Sequence, residues 1–252
     1  MMATDWIGQT VNRVGGRERV TGAQRYTGDI RLEGMLHVKL VTLDCAHARI
    51  LSIDTRQASR MEGVRCVLTA ADLPQPVPRF GPISNDRPVL AMEGVKFFGE
   101  PVAAVAAEDE DIAEAVAALV RVEYEELPGV YTVEAALDPT SPLVQEPGLR
   151  SKDPLRNTNI LSEYHFGWGD VQQVDAEMVI ENTYTFPMVS HFAIEPYTFL
   201  ARPEKDGVTI WSPIQHPYVL QRVVASTLDL PVARVRVIAP DSGGGFGGKG
   251  YP

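Results

Sequence analysis

Val102-Ala-Ala-Val-Ala-Ala107, then Asp109 through Val120, then Val120-Arg-Val-Glu-Tyr124 follow one another almost without a loop, and their reading decides the fold class. An uninterrupted apolar run bounded by polar residues reads as a buried strand. Asp109, Glu110 and Asp111 crowd the start of the next segment, where carboxylates favour the positive end of a helix macrodipole. Ile112, Ala115, Val116 and Leu119 then recur at three- and four-residue spacing, which predicts an amphipathic helix. Residues 120–124 return to strand text. Strand, helix and strand in such short compass predict a compact α+β domain.

Upstream, Met35–Val41, Arg49–Asp54 and Val64–Thr69 read as further strands. Residues 74–88 carry prolines at 74, 76, 78, 82 and 88 and read as an extended loop. The organisation expected is an N-terminal arm over 1–13, an α+β domain over 14–135, a Pro-, Asn- and Ser-rich linker over 136–160, and a second domain over 161–252. In that second domain Val179–Phe186 alternates as a long strand. Thr198–Ala201, Val208–Trp211 and Val235–Ala239 are shorter strands, and Pro217–Leu228 is a helix with Val219, Leu220, Val223 and Val224 inward.

Composition narrows the function classes. The 252 residues are 44% hydrophobic and 22% charged, the balance of a globular protein with ample core. A formal charge of −10 with no basic cluster argues against nucleic-acid binding, which needs a cationic face to release counterions. Two cysteines, Cys45 and Cys66, cannot by themselves hold an iron–sulfur cluster or a Cys-rich zinc site. They fit a reducing compartment. No secretory signal and no bilayer-length apolar run is present, so a cytoplasmic protein that does not enter a membrane is expected.

Asp241-Ser-Gly-Gly-Gly-Phe-Gly-Gly-Lys-Gly-Tyr251 is the densest functional signal. Glycines around one aromatic let bare backbone approach a ligand and offer N–H donors. Gly243, Gly245 and Gly248 match the dinucleotide pattern, but no helix or distal acid follows. Gly243, Gly248 and Lys249 match most of a P-loop, but Gly250 stands where Ser or Thr would meet Mg²⁺. A flexible glycine tail is the plain alternative. His191 and Glu195 could suggest a metal pair, yet Pro196 disfavours the helix that would put them on one face. Cys45 near His47 reads as a buried thiol, since no third residue orients the pair.

Several segments in order resemble one family, the molybdopterin-binding large subunit of the xanthine dehydrogenase/aldehyde oxidase group of molybdenum hydroxylases. They are Arg19–Asp29, Gly34–His37, Ala46–Ile50, Gly63–Thr69, Phe98–Ala103, Val122–Pro128, Gly169–Val171, His191–Pro196 and Gly244–Lys249. The resemblance implies an α/β hammerhead domain over 14–135, and over 161–252 the opening part of a larger molybdopterin-binding domain. It implies a molybdenum–molybdopterin cofactor, a pterin dinucleotide, that oxidises an aldehyde or N-heteroaromatic carbon with water as oxygen donor. Electrons then leave through 2Fe-2S clusters and FAD on partner subunits or domains. The partners implied are a C-terminal molybdopterin-binding chain, an iron–sulfur subunit, an FAD subunit and a small-molecule substrate.

By the same resemblance Phe246 and Gly247 fall where backbone approaches the molybdenum ligand sphere, with Gly245 beside them toward the cofactor. Gln215, in a loop between Pro213 and Pro217, either faces the pterin or packs. No catalytic residue is assigned, because the family's general base, a Glu near its C-terminal end, has no counterpart among these residues. Many relatives carry a Gln before His-Phe where this chain has Met188-Val189-Ser190, and purine-oxidising relatives carry a Glu where it has Gly250. These departures point away from a xanthine-type purine. The expectation is a subunit inactive without a complementing chain; the alternative is a non-catalytic structural subunit or truncated product that keeps the fold.

Overall fold

The computed structural model describes residues 8–82, 84–150, 152–170, 173 and 175–252. Most of the expected N-terminal arm, and Val171 of the Gly169–Val171 segment, lie outside the described residues. The chain divides into two units. One joins the described residues up to Leu32 to Val189–Pro252, and the other is Glu33–Met188.

In Glu33–Met188 the strands β1 (His37–Thr42), β2 (Ala48–Asp54) and β3 (Val64–Thr69) come first. Two-residue strands β4 (Arg79–Phe80) and β5 (Arg87–Pro88) pair inside the proline-rich loop, and β6 (Gly94–Val95) follows. Then come β7 (Pro101–Ala107), α1 (Glu110–Ala117), β8 (Arg121–Glu126) and α2 (Val133–Leu137). β7 lies between β1 and β3, antiparallel to both, and β2 lies between β6 and β8. The deciding stretch therefore folds as its text predicts. Val102, Ala103, Val105 and Ala107 have no exposed surface at all, so the central strand is covered on both faces and needs no polar alternation. Its alanines keep the strand low enough for α1 to pack closely.

The helix starts one residue inside the expected bound. Asp109 is its N-cap, with a side-chain carboxylate that accepts from the amides of Asp111 (2.8 Å) and Ile112 (3.3 Å). Ala113 and Val116 are buried while Ala115 is exposed, a one-alanine shift of the expected inward face. Alanine carries little directional information, so pattern alone did not separate them.

Described residues of the stretch 136–160 are held by hydrogen bonds. Arg150 is buried and donates to the Asp153 carboxylate and to the carbonyls of Ile160 and Leu161. Lys96 reaches Gln145 and Glu146. The long strand expected over Val179–Phe186 does not form. That segment has no strand partner among the described residues and stands exposed on both of its faces, because a strand needs a neighbour for its backbone groups.

In the other unit a short helix α3 (Gly16–Thr21) precedes β9 (Leu200–Glu204), β10 (Gly207–Trp211), α4 (Pro217–Thr227) and β11 (Val235–Ile238). β10 is central, antiparallel to β9 and parallel to β11, with α4 as the crossover. Leu220 and Ala225 of α4 bury against Val208, Ile210, Ile214 and Val235. Gln221 anchors the helix by donating to the Val235 carbonyl at 2.8 Å. The loops after β10 and β11 both leave at the carboxyl ends of parallel strands, the usual location of ligand sites in such sheets.

Candidate functional site: a gripped glycine loop

β11 ends at Ile238 and delivers Asp241–Tyr251 to that edge. The loop is fixed at its entrance, its middle and its end. At the entrance Asp241 accepts hydrogen bonds from Arg19 (2.8 Å) and Gln24, which ties α3 to the glycine run. Those two donors hold the Asp241 carboxyl below its ordinary range, Gln24 contributing most. At the far end the Gln215 amide donates to the Lys249 carbonyl at 2.7 Å, and Tyr197 Oη donates to the Tyr251 carbonyl at 2.7 Å. Within the loop two tight turns close, from Gly248 N–H to the Gly245 carbonyl (2.8 Å) and from Gly250 N–H to the Gly247 carbonyl (3.1 Å).

The middle is gripped from below by His191-Phe-Ala-Ile-Glu195. His191, Ala193 and Glu195 meet Gly248, Gly244 and Gly243 in reverse order. The fit is close enough that a Cβ on Gly248 would overlap the His191 ring. A Cβ on Gly245 would come within 2.7 Å of Gln215 Cδ. Gln215 thus packs on the loop by its side chain while its backbone holds Lys249. Glu195 Oε2 accepts from Gly243 N–H and from Lys249 Nζ, both at 2.7 Å.

This grip leaves the crest of the loop presented. Phe246 lies in the left-handed region at φ 50, uncommon for a bulky residue, and Gly247 follows at φ 90. Phe246 is 73% exposed, and a Cβ on Gly247 would meet nothing within 4 Å. Among the described residues neither Phe246 nor Gly247 has a hydrogen-bond partner for its N–H. Successive free amides in such a turn form a concavity that suits anionic oxygen. The donor set fits a cofactor that brings oxygen ligands, since the chain offers amides rather than ligating side chains: among the described residues no three of His, Cys, Asp and Glu converge.

The structure therefore brings Gly245, Phe246, Gly247 and Gln215 together on one loop system. His191 and Glu195 also belong to it, as its support. In the sequence His191 and Glu195 suggest only a metal pair, and no local pattern marks them as the support of a loop about 50 residues further on. Cys45 lies elsewhere, buried, with its thiol pushed up by desolvation and then by Glu126 and Asp44.

Comparison with known proteins defines the class. Residues 21–128 match the profile "Aldehyde oxidase and xanthine dehydrogenase, a/b hammerhead domain". Residues 153–252 match "Molybdopterin cofactor-binding domain". The chain belongs to the xanthine dehydrogenase/aldehyde oxidase family of molybdenum hydroxylases. It is 36% identical over 250 residues to the xanthine dehydrogenase molybdenum-binding subunit of Escherichia coli O157:H7, covering 94% of this chain and 32% of that one. It is 32% identical to the nicotinate dehydrogenase large molybdopterin subunit of Eubacterium barkeri, covering 96% of this chain and 55% of that one. Among solved structures, quinoline 2-oxidoreductase from Pseudomonas putida 86 superposes with a TM-score of 0.81 at 32% identity, over 96% of this chain and 31% of that one. The chain thus spans about a third to a half of these relatives' lengths. Among the described residues no helix is long and apolar enough to cross a membrane.

Proposed function

We propose that this chain contributes the hammerhead domain and one cofactor-contacting loop to a multi-subunit molybdenum hydroxylase that oxidises an aldehyde or an N-heteroaromatic carbon. The observation that carries the proposal is the pair of free N–H groups at Phe246 and Gly247, held outward by a loop tied down at both ends. Bound there, a molybdenum–pterin group would supply hydroxylation with water as oxygen donor, and electrons would leave to 2Fe-2S and FAD groups on partner subunits or domains. The chain's own part is to bind and orient. Phe246 and Gly247 would hold the group through their amides, and Gln215, packed against Gly245, would help fix the loop that presents them.

The substrate reading rests on Gly250 and Val189. Gly250 is buried and offers no side chain to a polar ring, and Val189 cannot donate. A site that should hydrogen-bond ring N–H groups but lacks partners discriminates against such a ring. The nicotinate and quinoline chemistry in two relatives' names supports the heteroaromatic half of this reading.

The test is co-expression with a chain carrying the remaining molybdopterin-binding region. Molybdenum content and dye-linked oxidation of nicotinate, quinoline, benzaldehyde and xanthine are then measured. Molybdenum retention and turnover of one of the first three are expected in the complex. Gly247→Val should lower kcat/KM by the equivalent of about 2.7–4 kcal/mol, the loss typical of one oxyanion donor. A complex that assembles but retains no molybdenum, or that prefers xanthine, overturns the proposal.

A further inference from the structure

The support under the loop contains a pair of charges with no surface role. Lys249 has 3% of its side chain exposed and Glu195 10%, with Nζ and Oε2 2.7 Å apart. Breaking a buried pair is costly because the surviving charge is left without solvent or partner. The geometry is also lopsided. Oε2 takes both the Lys249 ammonium and the Gly243 amide, while Oε1 is buried and has no partner among the described residues. One oxygen thus joins the loop's first glycine to the Lys249 side chain, six residues further on, and the Glu195 amide reaches back to the Gly243 carbonyl at 3.4 Å. Among the described residues the crest between them, 244–248, has no polar tie to anything outside the loop.

We infer that Glu195 and Lys249 act as positioning residues, a charged latch that sets the curvature of residues 243–249 and so the direction of the Phe246 and Gly247 N–H groups. Neither is placed in contact with the cofactor. The inference rests on the proposed function for its purpose, but its geometry stands in the chain alone.

The test reads the loop directly, in the purified full chain without cofactor, by amide hydrogen exchange at single-residue resolution. The reporters are the Gly248 and Gly250 amides, which bond to loop carbonyls and not to Glu195. Strand amides of β10 and β11 report the sheet. Glu195→Ala and Lys249→Met should each speed exchange at the two reporters by about tenfold or more with the sheet unchanged. The double variant Glu195→Gln with Lys249→Met should restore slow exchange. The Gln carbonyl can still accept from Gly243, and its amide nitrogen replaces an oxygen that had no donor to lose. Slow reporters in Glu195→Ala, or a double variant no slower than the single ones, would overturn the latch. If Glu195→Ala loosens the sheet as well, Glu195→Gln decides, because it keeps the acceptor and removes only the charge. A loosened loop on an intact sheet then supports the latch, and an unchanged loop overturns it. Molybdenum retention by the co-expressed complex is measured separately. A native-like loop without retention would leave the latch standing and remove the function proposed above.

Discussion

Gly248 shows how much of the site is set by single atoms. The His191 ring occupies the place where a side chain at 248 would begin, so Gly248→Ala must displace the ring, the loop, or both. Forcing a methyl into packed space costs about 1–3 kcal/mol, and the loss should show as a lower midpoint in urea unfolding. Adding His191→Ala removes the obstacle, so the double variant should recover more than half of that loss. Equal and additive losses would mean that the ring moves aside freely. At this scale the sequence was legible where the backbone itself is the message. Glycines on both sides of Phe246 announce a close approach of backbone, while it is the family resemblance that singles out Gly245, Phe246 and Gly247. It was not legible where two side chains distant in sequence share one role. Glu195 and Lys249 each sit in recognisable text, but nothing in either segment announces that they meet.

Strand, helix and strand were legible as elements because each has a strong period and a chemical boundary. Asp109 is such a boundary, and Asp109→Ala should lower the stability of Glu33–Met188 by about 1 kcal/mol through loss of the two capped amides. A change below a few tenths would mean that solvent caps α1 equally well. Glu100, at the start of β7, is a different case. Its side chain is buried and accepts the Lys96 amide at 2.7 Å, and burial holds its carboxyl above the ordinary range, against the pull of Lys96, Arg87 and Arg79. A raised folded pKa means that the group's contribution to stability is fully present below the ordinary carboxylate value. It is lost as pH rises through the raised one. Glu100→Gln keeps the acceptor and cannot ionise. Its Tm relative to the parent chain should therefore rise between pH 4 and pH 7, and a flat or falling difference would show that Glu100 ionises without penalty.

For the whole molecule, the misread strand is the most informative feature. Val179–Phe186 alternates in sequence as a half-buried strand does, yet Met178, Ile180 and Phe186 are 75%, 76% and 87% exposed, and Val179 is 84% exposed on the opposite face. Trp168 is almost wholly exposed as well. Several large apolar side chains exposed in one segment mark a candidate interaction surface. Periodicity reports that a segment has an apolar face; it does not report what covers that face. Such a face is expected to be covered in a larger assembly, and co-expression with the remaining molybdopterin-binding region tests whether that region supplies the cover. In the isolated chain, backbone amides over residues 176–188 should then exchange at nearly the rate of unstructured peptide. In the co-expressed complex they should slow by about two orders of magnitude or more, as strand amides locked into a stable sheet do. Limited proteolysis should move in parallel, with cuts near Tyr184 and Phe186 lost on complex formation. Fast exchange that persists in a complex already retaining molybdenum would show that the segment faces solvent in the working enzyme, and that its alternation has another cause.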